Sequence, residues 1–312
     1  MKHYLDIDDI VSVPALIQEA LTLKNLPYAY EALGKHRTLG MLFFNSSLRT
    51  RLSTQKAAQN LGMNTMVMNL NNDGWQLEFE DGSIMNGNTA EHIKEAAAVI
   101  SQYVDIIALR AFPSLSDKEK DEAEQIIKSF QKFATVPIVN MESATAHPLQ
   151  ALADAITITE FQTIRRPKVV LSWAPHPRAL PHAVPNSFVK MMQRMDVDFV
   201  ITHPEGYELN PLITRNVPIN YNQNDALKDA DFVYVKNWSS YNQYGQICST
   251  DPQWMMTSEK LGMAKFMHCL PVRRNVIVED AILDGPQSIV IQQANNRTWA
   301  AQAVLKNILE NL

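Results

Sequence analysis

The chain has only two cysteines, Cys248 and Cys269, among its 312 residues. Two cysteines cannot build a disulfide framework, and neither one lies in a C-x-x-C metal or redox motif. The eight histidines show no H-x-x-x-H spacing, and the closest pair with polar neighbours, His176 and His182, lacks further ligands. Because zinc sites need three or four clustered ligands, we expect neither a metal nor a cofactor.

The glycine-rich loops that usually mark nucleotide sites are also missing, since the chain contains neither G-x-x-x-x-G-K-[ST] nor G-x-G-x-x-G. The formal net charge is -5 and no long basic run occurs. The sequence therefore shows no basic region that would bind nucleic acid or an anionic membrane. No apolar run approaches the roughly 20 residues of a membrane span, and residues 1–9 lack the pattern of a signal peptide. We therefore predict a cytoplasmic protein with no nucleic-acid or membrane partner.

Short β-branched runs alternate with helical patterns along the whole chain, which is typical of parallel sheets covered by helices. A chain of 312 residues with 46% hydrophobic residues fits two globular domains of roughly 150 residues each. The predicted strands are 38–44, 64–70, 104–109, 137–140, 168–173, 197–202, 231–235, 265–268 and 288–292. The predicted helices are 49–61, 91–103, 118–133, a bridge at 151–161 and a last helix at 296–312. The fold class is thus α/β, with two doubly wound domains.

A loop of about 20 residues, 71–90, carries several Asn and Gly turn signals, and loops of this length often have a function. Polar residues also follow the ends of the predicted strands, where open α/β sheets bind ligands. They are Ser47 to Arg51, Trp75, Arg110, Glu142, His147 to Gln150, His176 to Arg178, Lys236, His268 to Pro271 and Arg297.

Four of these side chains are cationic, namely Arg49, Arg110, Lys236 and Arg297. Guanidinium groups bind phosphate and carboxylate through a two-pronged fork, so their shared location predicts a small, highly anionic ligand. Residues 47–50 open a helix, whose free backbone N–H groups suit a phosphate. The alternative for this segment is an ordinary helix start with arginines in solvent.

His147 precedes a helix and could act as an acid, a base or a neutral donor, although a histidine satisfied by backbone is the plainer alternative. Gln150 lies on the same helix face, and its amide suits a carbamoyl or amide group. Cys269 has His268 beside it. Since adjacent strand residues point to opposite faces, this pair does not favour a nucleophilic thiol.

Three motifs occur in order: Ser47-Leu48-Arg49-Thr50-Arg51, His147-Pro148-Leu149-Gln150 with Asp154 downstream, and His268-Cys269-Leu270-Pro271. Together they resemble the aspartate and ornithine carbamoyltransferases, which carry S-T-R-T-R, H-P-x-Q-x-L-x-D and H-C-L-P or H-P-L-P. One departure is Leu48, where the family usually has threonine. That position is expected to contribute its backbone N–H, so the change matters little.

The resemblance implies two domains: a carbamoyl phosphate-binding domain at 1–146, completed by helix 296–312, and an acylornithine-binding domain at 147–295. It also implies a homotrimer with shared active sites, in which Trp75 acts on a neighbouring site. The implied carbamoyl phosphate residues are Ser47, Leu48, Arg49, Thr50, Trp75, Arg110, His147, Gln150, Arg297 and the backbone carbonyls near Cys269 and Leu270. Within this set, the implied catalytic residues are His147, Arg110, Thr50 and Cys269.

The second substrate is where the chain departs from ornithine enzymes, because the D-x-x-x-S-M-G loop is absent and Lys236-Asn237-Trp238 follows the strand. This resembles the N-acylornithine branch, in which Lys236 would pair with the α-carboxylate and Glu142 would orient the substrate. Plain ornithine should then be a poor substrate, and aspartate is disfavoured by Cys269, where aspartate enzymes read H-P-L-P.

The acyl group is expected to be succinyl, because its second carboxylate needs a cation and His176-Pro177-Arg178 follows a strand end. Acetyl enzymes of this branch have a repelling glutamate near the end of the long loop and succinyl enzymes a proline, whereas this chain has Ala90. The expected reaction carbamoylates N-succinyl-L-ornithine in arginine biosynthesis. The alternatives are N-acetylornithine as the substrate and a non-catalytic, anion-binding trimer.

Overall fold

The computed structural model describes residues 1–312, which form two compact units. The first unit comprises Met1–Ser114, Glu119–Leu149 and Arg297–Leu312. The second comprises Leu115–Lys118 and Gln150–Asn296.

The strands are β1 (Thr38–Phe43), β2 (Asn64–Asn69), β3 (Leu77–Glu78), β4 (Glu91–His92), β5 (Ile106–Arg110), β6 (Ile138–Glu142), β7 (Lys168–Trp173), β8 (Asp198–Thr202), β9 (Ile219–Asn220), β10 (Phe232–Lys236) and β11 (Lys265–Met267). The helices are α1 (Val13–Asn25), α2 (Arg49–Asn60), α3 (Leu70–Asp73), α4 (Ile93–Ile100), α5 (Lys118–Glu122), α6 (Gln125–Phe133), α7 (Pro148–Phe161), α8 (Ala183–Met192), α9 (Pro211–Thr214), α10 (Gln223–Leu227), α11 (Ser258–Leu261), α12 (Asp280–Leu283) and α13 (Val290–Leu309). Short 3-10 helices lie at Ile7–Asp9, Glu31–Gly34 and Pro252–Trp254.

The sheet of the first unit has the order β2-β1-β5-β6 with all strands parallel. Its inner strands read as nearly continuous apolar runs, as expected for strands that are covered on both faces. Leu42, Ile107 and Leu109 from these strands pack with Ile127 and Phe130 of α6 in one buried cluster. This cluster fixes the strands whose ends carry the predicted phosphate residues.

The sheet of the second unit has the order β11-β10-β7-β8-β9 and is also entirely parallel. Val170 of β7, Val233 of β10 and Phe266 of the edge strand β11 pack with Ile282 and Val290 in a second buried cluster. Each unit therefore buries its own apolar core around its own sheet.

The predicted fold class is confirmed: both sheets are parallel, the chain crosses between the units in α7, and the last helix returns to the first unit. The predicted strands up to 265–268 all exist, and each begins and ends within two residues of its expected limits. The short strands β3, β4 and β9 were not predicted, because a two-residue strand carries no periodic signal. β4 takes the first two residues of the helix predicted at 91–103, of which α4 forms only Ile93–Ile100.

The predicted strand at 288–292 is wrong. Only Ser288 forms an isolated bridge, to Phe266, and α13 already begins at Val290, not at 296. Burial along this segment follows the helical period, since Ile289, Val290 and Gln293 are buried whereas Ile291 is 69% exposed. The β-branched run resembles a strand in composition, but its position at the start of a long amphipathic helix decides its structure.

Two other predicted elements are subdivided in the structure. The helix expected at 118–133 is broken into α5 and α6 at Glu124, whose φ is 53°. The loop at 71–90 holds part of α3 and the whole of β3, and β3 pairs with β4 just after the loop. None of the helices combines the length and apolar character needed to cross a lipid bilayer.

The returning helix is joined to the first unit by a buried amide pair. The Gln302 Oε1 accepts a hydrogen bond from Asn60 Nδ2 at 2.9 Å, and its Nε2 donates to the Pro27 carbonyl at 2.7 Å. Both Asn60 and Gln302 have no exposed surface. Because a buried polar group without a partner costs about 1–3 kcal/mol, this pair makes the position of α13 specific.

We expect Gln302→Leu to lower the free energy of unfolding by about 1–3 kcal/mol, because it leaves Asn60 and the Pro27 carbonyl without partners. Thermal and urea unfolding would measure the loss. Gln59→Leu, a change at an exposed position on α2, is the control and should have little effect. Equal stabilities for the two variants would contradict the role of the buried pair.

Candidate active site

In the first sheet the chain runs from β1 outward to β2 and then returns to place β5 on the other side of β1. Such a change of direction leaves a crevice beyond the carboxyl ends of the two inner strands. Phe43, the last residue of β1, is the register partner of Arg110, the last residue of β5. The segment 44–48 then leads from β1 into α2. The strand order thus puts the start of α2 and Arg110 together.

Two arginines meet at one hydroxyl group in this unit. Thr50 Oγ1 accepts hydrogen bonds from Arg110 Nη1 at 3.0 Å and from Arg297 Nη2 at 2.5 Å. The three residues come from α2, β5 and α13, and each is at most 8% exposed. Two like charges held this close in a buried place favour an anion as ligand.

A carboxylate and a histidine complete this group. Glu142 ends β6, next to Arg110 in the sheet, and its Oε2 lies 2.6 Å from Arg110 Nη1 and 3.3 Å from His147 Nε2. The guanidinium also lies over the Phe112 ring, 4.4 Å from its centroid. A buried carboxylate that contacts both groups fixes the orientation of the arginine and of the imidazole.

Helix α2 begins without a side-chain cap, because Leu48 is the N-cap residue and makes no side-chain hydrogen bond. Its first turn contains no acidic residue, so the positive end of the helix dipole is not neutralised within the helix. Ser47 and Arg49 flank Leu48, and the buried Arg49 Nε has no hydrogen-bond partner in the protein. The free N–H groups at this end of α2 are therefore open to an anion.

Trp75 and Ala90 belong to the same unit as this cluster. Trp75 is 60% exposed, and its indole N–H donates to Glu91 Oε2 at 2.8 Å. Ala90 is exposed, and its N–H donates to the Gln76 carbonyl at 3.0 Å. Both residues lie on the surface of the segment between α3 and β4.

The second sheet has its own change of direction, between β7 and β10. Lys236, the last residue of β10, is the register partner of Trp173, the last residue of β7. Lys236 is 9% exposed, and the segment after Trp173 leads to His176 and Arg178. The strand order thus collects the predicted acylornithine residues of this unit at one edge of the sheet.

His176 links two arginines. Its Nε2 accepts from Arg273 Nε at 3.1 Å, and its Nδ1 lies 2.8 Å from the Arg178 carbonyl oxygen. The same Nδ1 lies 3.1 Å from the Arg178 backbone nitrogen. An imidazole whose Nε2 accepts a hydrogen bond from an arginine is neutral. The Arg178 side chain is exposed and therefore accessible to a ligand.

Burial lowers the pKa of His176 below its ordinary value of 6.5. The hydrogen bond to the Arg178 carbonyl opposes this shift, whereas the positive charges of Arg273 and Lys236 add to it. Burial and the neighbouring positive charges both disfavour a charged imidazole. The group therefore offers the guanidiniums of Arg178 and Arg273, the ammonium of Lys236 and a neutral imidazole.

Gln150 belongs to a buried amide network at the start of α7. Its Nε2 donates to Asp154 Oδ1 at 2.7 Å, and Gln293 Nε2 donates to the same oxygen at 2.7 Å. Gln293 Oε1 accepts from the His268 N–H at 2.9 Å. The buried Gln150 Oε1 has no hydrogen-bond partner in the protein. The bond from Gln150 Nε2 to Asp154 fixes the amide, so Oε1 remains available as an acceptor.

The segment after β11 turns sharply at Leu270, whose φ is 56° and whose bond to Pro271 is cis. The Leu270 N–H donates to His268 Nδ1 at 2.8 Å, which holds the turn. Cys269 is 9% exposed. His268 Nδ1 is thus occupied by a backbone N–H. Because β11 ends at Met267, His268 and Cys269 lie beyond the strand, and the strand geometry expected for this pair does not apply to them.

Sequence reasoning missed Arg273, Asp154 and Gln293. Arg273 follows a quoted motif by two residues, and its position after a strand end was a usable signal. Asp154 belongs to the second motif, but the sequence assigned it no role. Gln293 gave no signal, because it lies between the strand predicted at 288–292 and the helix predicted at 296–312.

The fold and the site together define a class of protein. It is an α/β protein with two parallel sheets, each of which has basic residues at the ends of the strands where the strand order changes direction. The family model of the aspartate/ornithine carbamoyltransferase carbamoyl-P binding domain matches residues 2–160, and the model of the Asp/Orn binding domain matches residues 182–308. The chain therefore belongs to the aspartate/ornithine carbamoyltransferase family.

Among its relatives is the N-succinylornithine carbamoyltransferase of Bacteroides thetaiotaomicron, which is 50% identical over 317 residues and all of both chains. The N-acetylornithine carbamoyltransferase of Xanthomonas axonopodis pv. citri is 35% identical over 98% of this chain and 96% of its own. A crystal structure of an N-acetyl-L-ornithine transcarbamylase mutant complexed with carbamyl phosphate and N-succinyl-L-norvaline has a TM-score of 0.93 and 34% identity, covering 99% of this chain and all of that chain.

The lowered pKa of His176 makes stability depend on pH. As pH falls below about 6.5, the unfolded chain takes up a proton that the folded imidazole resists, so this group lowers the folding stability. We expect His176→Asn to remove this contribution. The melting temperature of the wild type should therefore fall relative to the variant between pH 7.5 and 5.5, and parallel curves would contradict the shift.

Proposed function

We propose that this chain transfers the carbamoyl group of carbamoyl phosphate to the δ-amino group of N-succinyl-L-ornithine. The products are N-succinyl-L-citrulline and phosphate, and the reaction belongs to arginine biosynthesis. The observation that carries the proposal is the buried group in which Arg110 and Arg297 share the Thr50 hydroxyl, in a chain of the carbamoyltransferase family.

The first unit is proposed to bind the phosphate group. The start of α2, from Ser47 to Thr50, supplies backbone N–H groups, and Arg49 and Arg110 supply guanidinium donors. The buried Arg49 Nε without a protein partner supports this assignment. Trp75 is proposed to reach the phosphate of a neighbouring subunit, which its 60% exposure supports.

The carbamoyl group is proposed to contact His147, Gln150 and the backbone carbonyls of Cys269 and Leu270, with Arg297 reaching in from α13. The free Gln150 Oε1 supports this, because a carbamoyl NH₂ group is a donor that needs such an acceptor. The amide network around Asp154 holds the glutamine side chain in place.

In the proposed reaction the uncharged δ-amino nitrogen attacks the carbamoyl carbon, and a C–N bond forms. The C–O bond to the phosphate breaks, and the surplus proton on the new amide nitrogen is lost. Arg110, His147 and Thr50 stabilise the oxyanion, and such preorganised donors supply much of the rate enhancement in acyl transfer. Glu142 orients the incoming amine, and it also holds the side chains of Arg110 and His147 in place.

The second unit is proposed to bind the acylornithine. Lys236 pairs with the α-carboxylate, and Arg178 with His176 receives the succinyl carboxylate. Arg273 joins this group through its bond to His176. The exposed Ala90 contributes no charge that would repel a second carboxylate. Succinyl is preferred over acetyl because the identity to the succinylornithine enzyme is 50%, against 35% for the acetylornithine enzyme.

The enzyme is proposed to act as a cytoplasmic homotrimer. The edge strand β2 supports an assembly, because it exposes Met66 by 52% and Met68 by 37%. Exposed apolar side chains on an unpaired strand edge are typical of a contact surface.

The decisive experiment compares kcat/KM for N-succinylornithine, N-acetylornithine and ornithine, each with carbamoyl phosphate, by detection of the citrulline product. We expect the succinyl compound to be the best substrate and ornithine the poorest. A preference for the acetyl compound would reassign the acyl group. Carbamoyl phosphate binding without turnover of any amine would favour a non-catalytic protein.

We expect Arg178→Ala to reduce kcat/KM for N-succinylornithine by roughly tenfold to a hundredfold. This loss corresponds to about 1.4–3 kcal/mol, the usual contribution of a charge-assisted hydrogen bond. The loss for N-acetylornithine should be much smaller, because that substrate lacks the second carboxylate. Arg166→Ala is a matched control, since Arg166 is exposed and precedes β7 whereas Arg178 follows it. Equal losses for both substrates would remove the role assigned to Arg178.

A further inference from the structure

Glu124 has an unusual backbone conformation. It lies between α5 and α6 with φ 53° and ψ 41°, in the left-handed region, which glutamate seldom adopts because its Cβ crowds the backbone. It is the N-cap residue of α6, yet its side chain makes no capping hydrogen bond. Such a strained conformation persists only where contacts with the surrounding structure hold the residue in it.

The carboxylate of Glu124 is directed at another segment, the loop from Ser143 to Thr145. Its Oε1 accepts from Ser143 Oγ at 2.7 Å, from the Thr145 N–H at 2.7 Å and from Thr145 Oγ1 at 2.6 Å. Its Oε2 accepts from the Ala144 N–H at 3.3 Å. Four donors from one loop therefore converge on one carboxylate, which makes this a strong attachment.

This loop connects two residues of the candidate active site. Glu142 precedes it as the last residue of β6, and His147 follows it directly before α7. The loop is a closed turn, since the Ser143 N–H donates to the Ala146 carbonyl at 2.8 Å. The path of the turn therefore sets where the Glu142 carboxylate and the His147 imidazole lie, 3.3 Å apart.

We propose that Glu124 is a positioning residue, which holds the Ser143–Ala146 turn and through it the geometry of Glu142 and His147. The inference rests on the proposed carbamoyl transfer, and it assigns Glu124 no contact with a substrate. A displacement of about 1 Å in a catalytic group can cost roughly a hundredfold in rate, so loss of four loop contacts should be visible in turnover.

The test compares Glu124→Ala and Glu124→Gly with the wild type and with Glu122→Ala, a control at an exposed residue of α5. Both Glu124 variants lose the carboxylate, so we expect kcat to fall about tenfold to a hundredfold in each. Glycine accepts positive φ more readily than alanine, so Glu124→Gly should melt at a higher temperature than Glu124→Ala. Wild-type turnover in Glu124→Gly would overturn the proposal, because the backbone and not the carboxylate would then be responsible.

A double-mutant cycle separates positioning from a general loss of stability. If Glu124 acts through His147, then Glu124→Gly should cost little kcat in a His147→Ala background, whereas it should cost its full factor in a Lys236→Ala background. Full additivity with His147→Ala would overturn the proposal. A wild-type enzyme without turnover would instead refute the proposed function, so the two failures are distinguishable.

Discussion

One hydroxyl group organises the first unit. Thr50 Oγ1 accepts from two buried guanidiniums, those of Arg110 and Arg297, which come from a strand and from the last helix. Like charges repel, and in a buried place water screens them weakly. The hydroxyl and the Glu142 carboxylate hold them together, and an anionic ligand would stabilise them further. The return of α13 to this unit therefore supplies the second guanidinium of the pair.

Strand order explains why the polar residues collect where they do. In both sheets the chain first builds outward on one side and then crosses to the other, which brings the ends of two inner strands together. Arg110 in the first sheet and Lys236 in the second are the last residues of such strands. Ligands of open α/β sheets bind beyond the carboxyl ends of such strands, so these positions suit residues that contact a ligand.

The two units solve different electrostatic problems. The first surrounds its arginines with a carboxylate and a hydroxyl, which suits a compact anion. The second keeps His176 neutral beside Arg273 and leaves the Arg178 side chain exposed, which suits a carboxylate at the end of a flexible chain. The exposed Arg178 guanidinium of the second unit can discriminate between substrates that differ by one carboxylate.

The amino-acid sequence by itself determined the α/β class, nearly all strands and the motif residues, because buried strands and helix starts are coded by neighbouring residues. It did not determine that the last helix begins at Val290, that Glu124 breaks a helix, or that Gln293 joins the site network. Those outcomes depend on contacts between residues far apart in the chain. Periodicity reports which face of a segment is apolar, whereas only packing decides which segment that face meets.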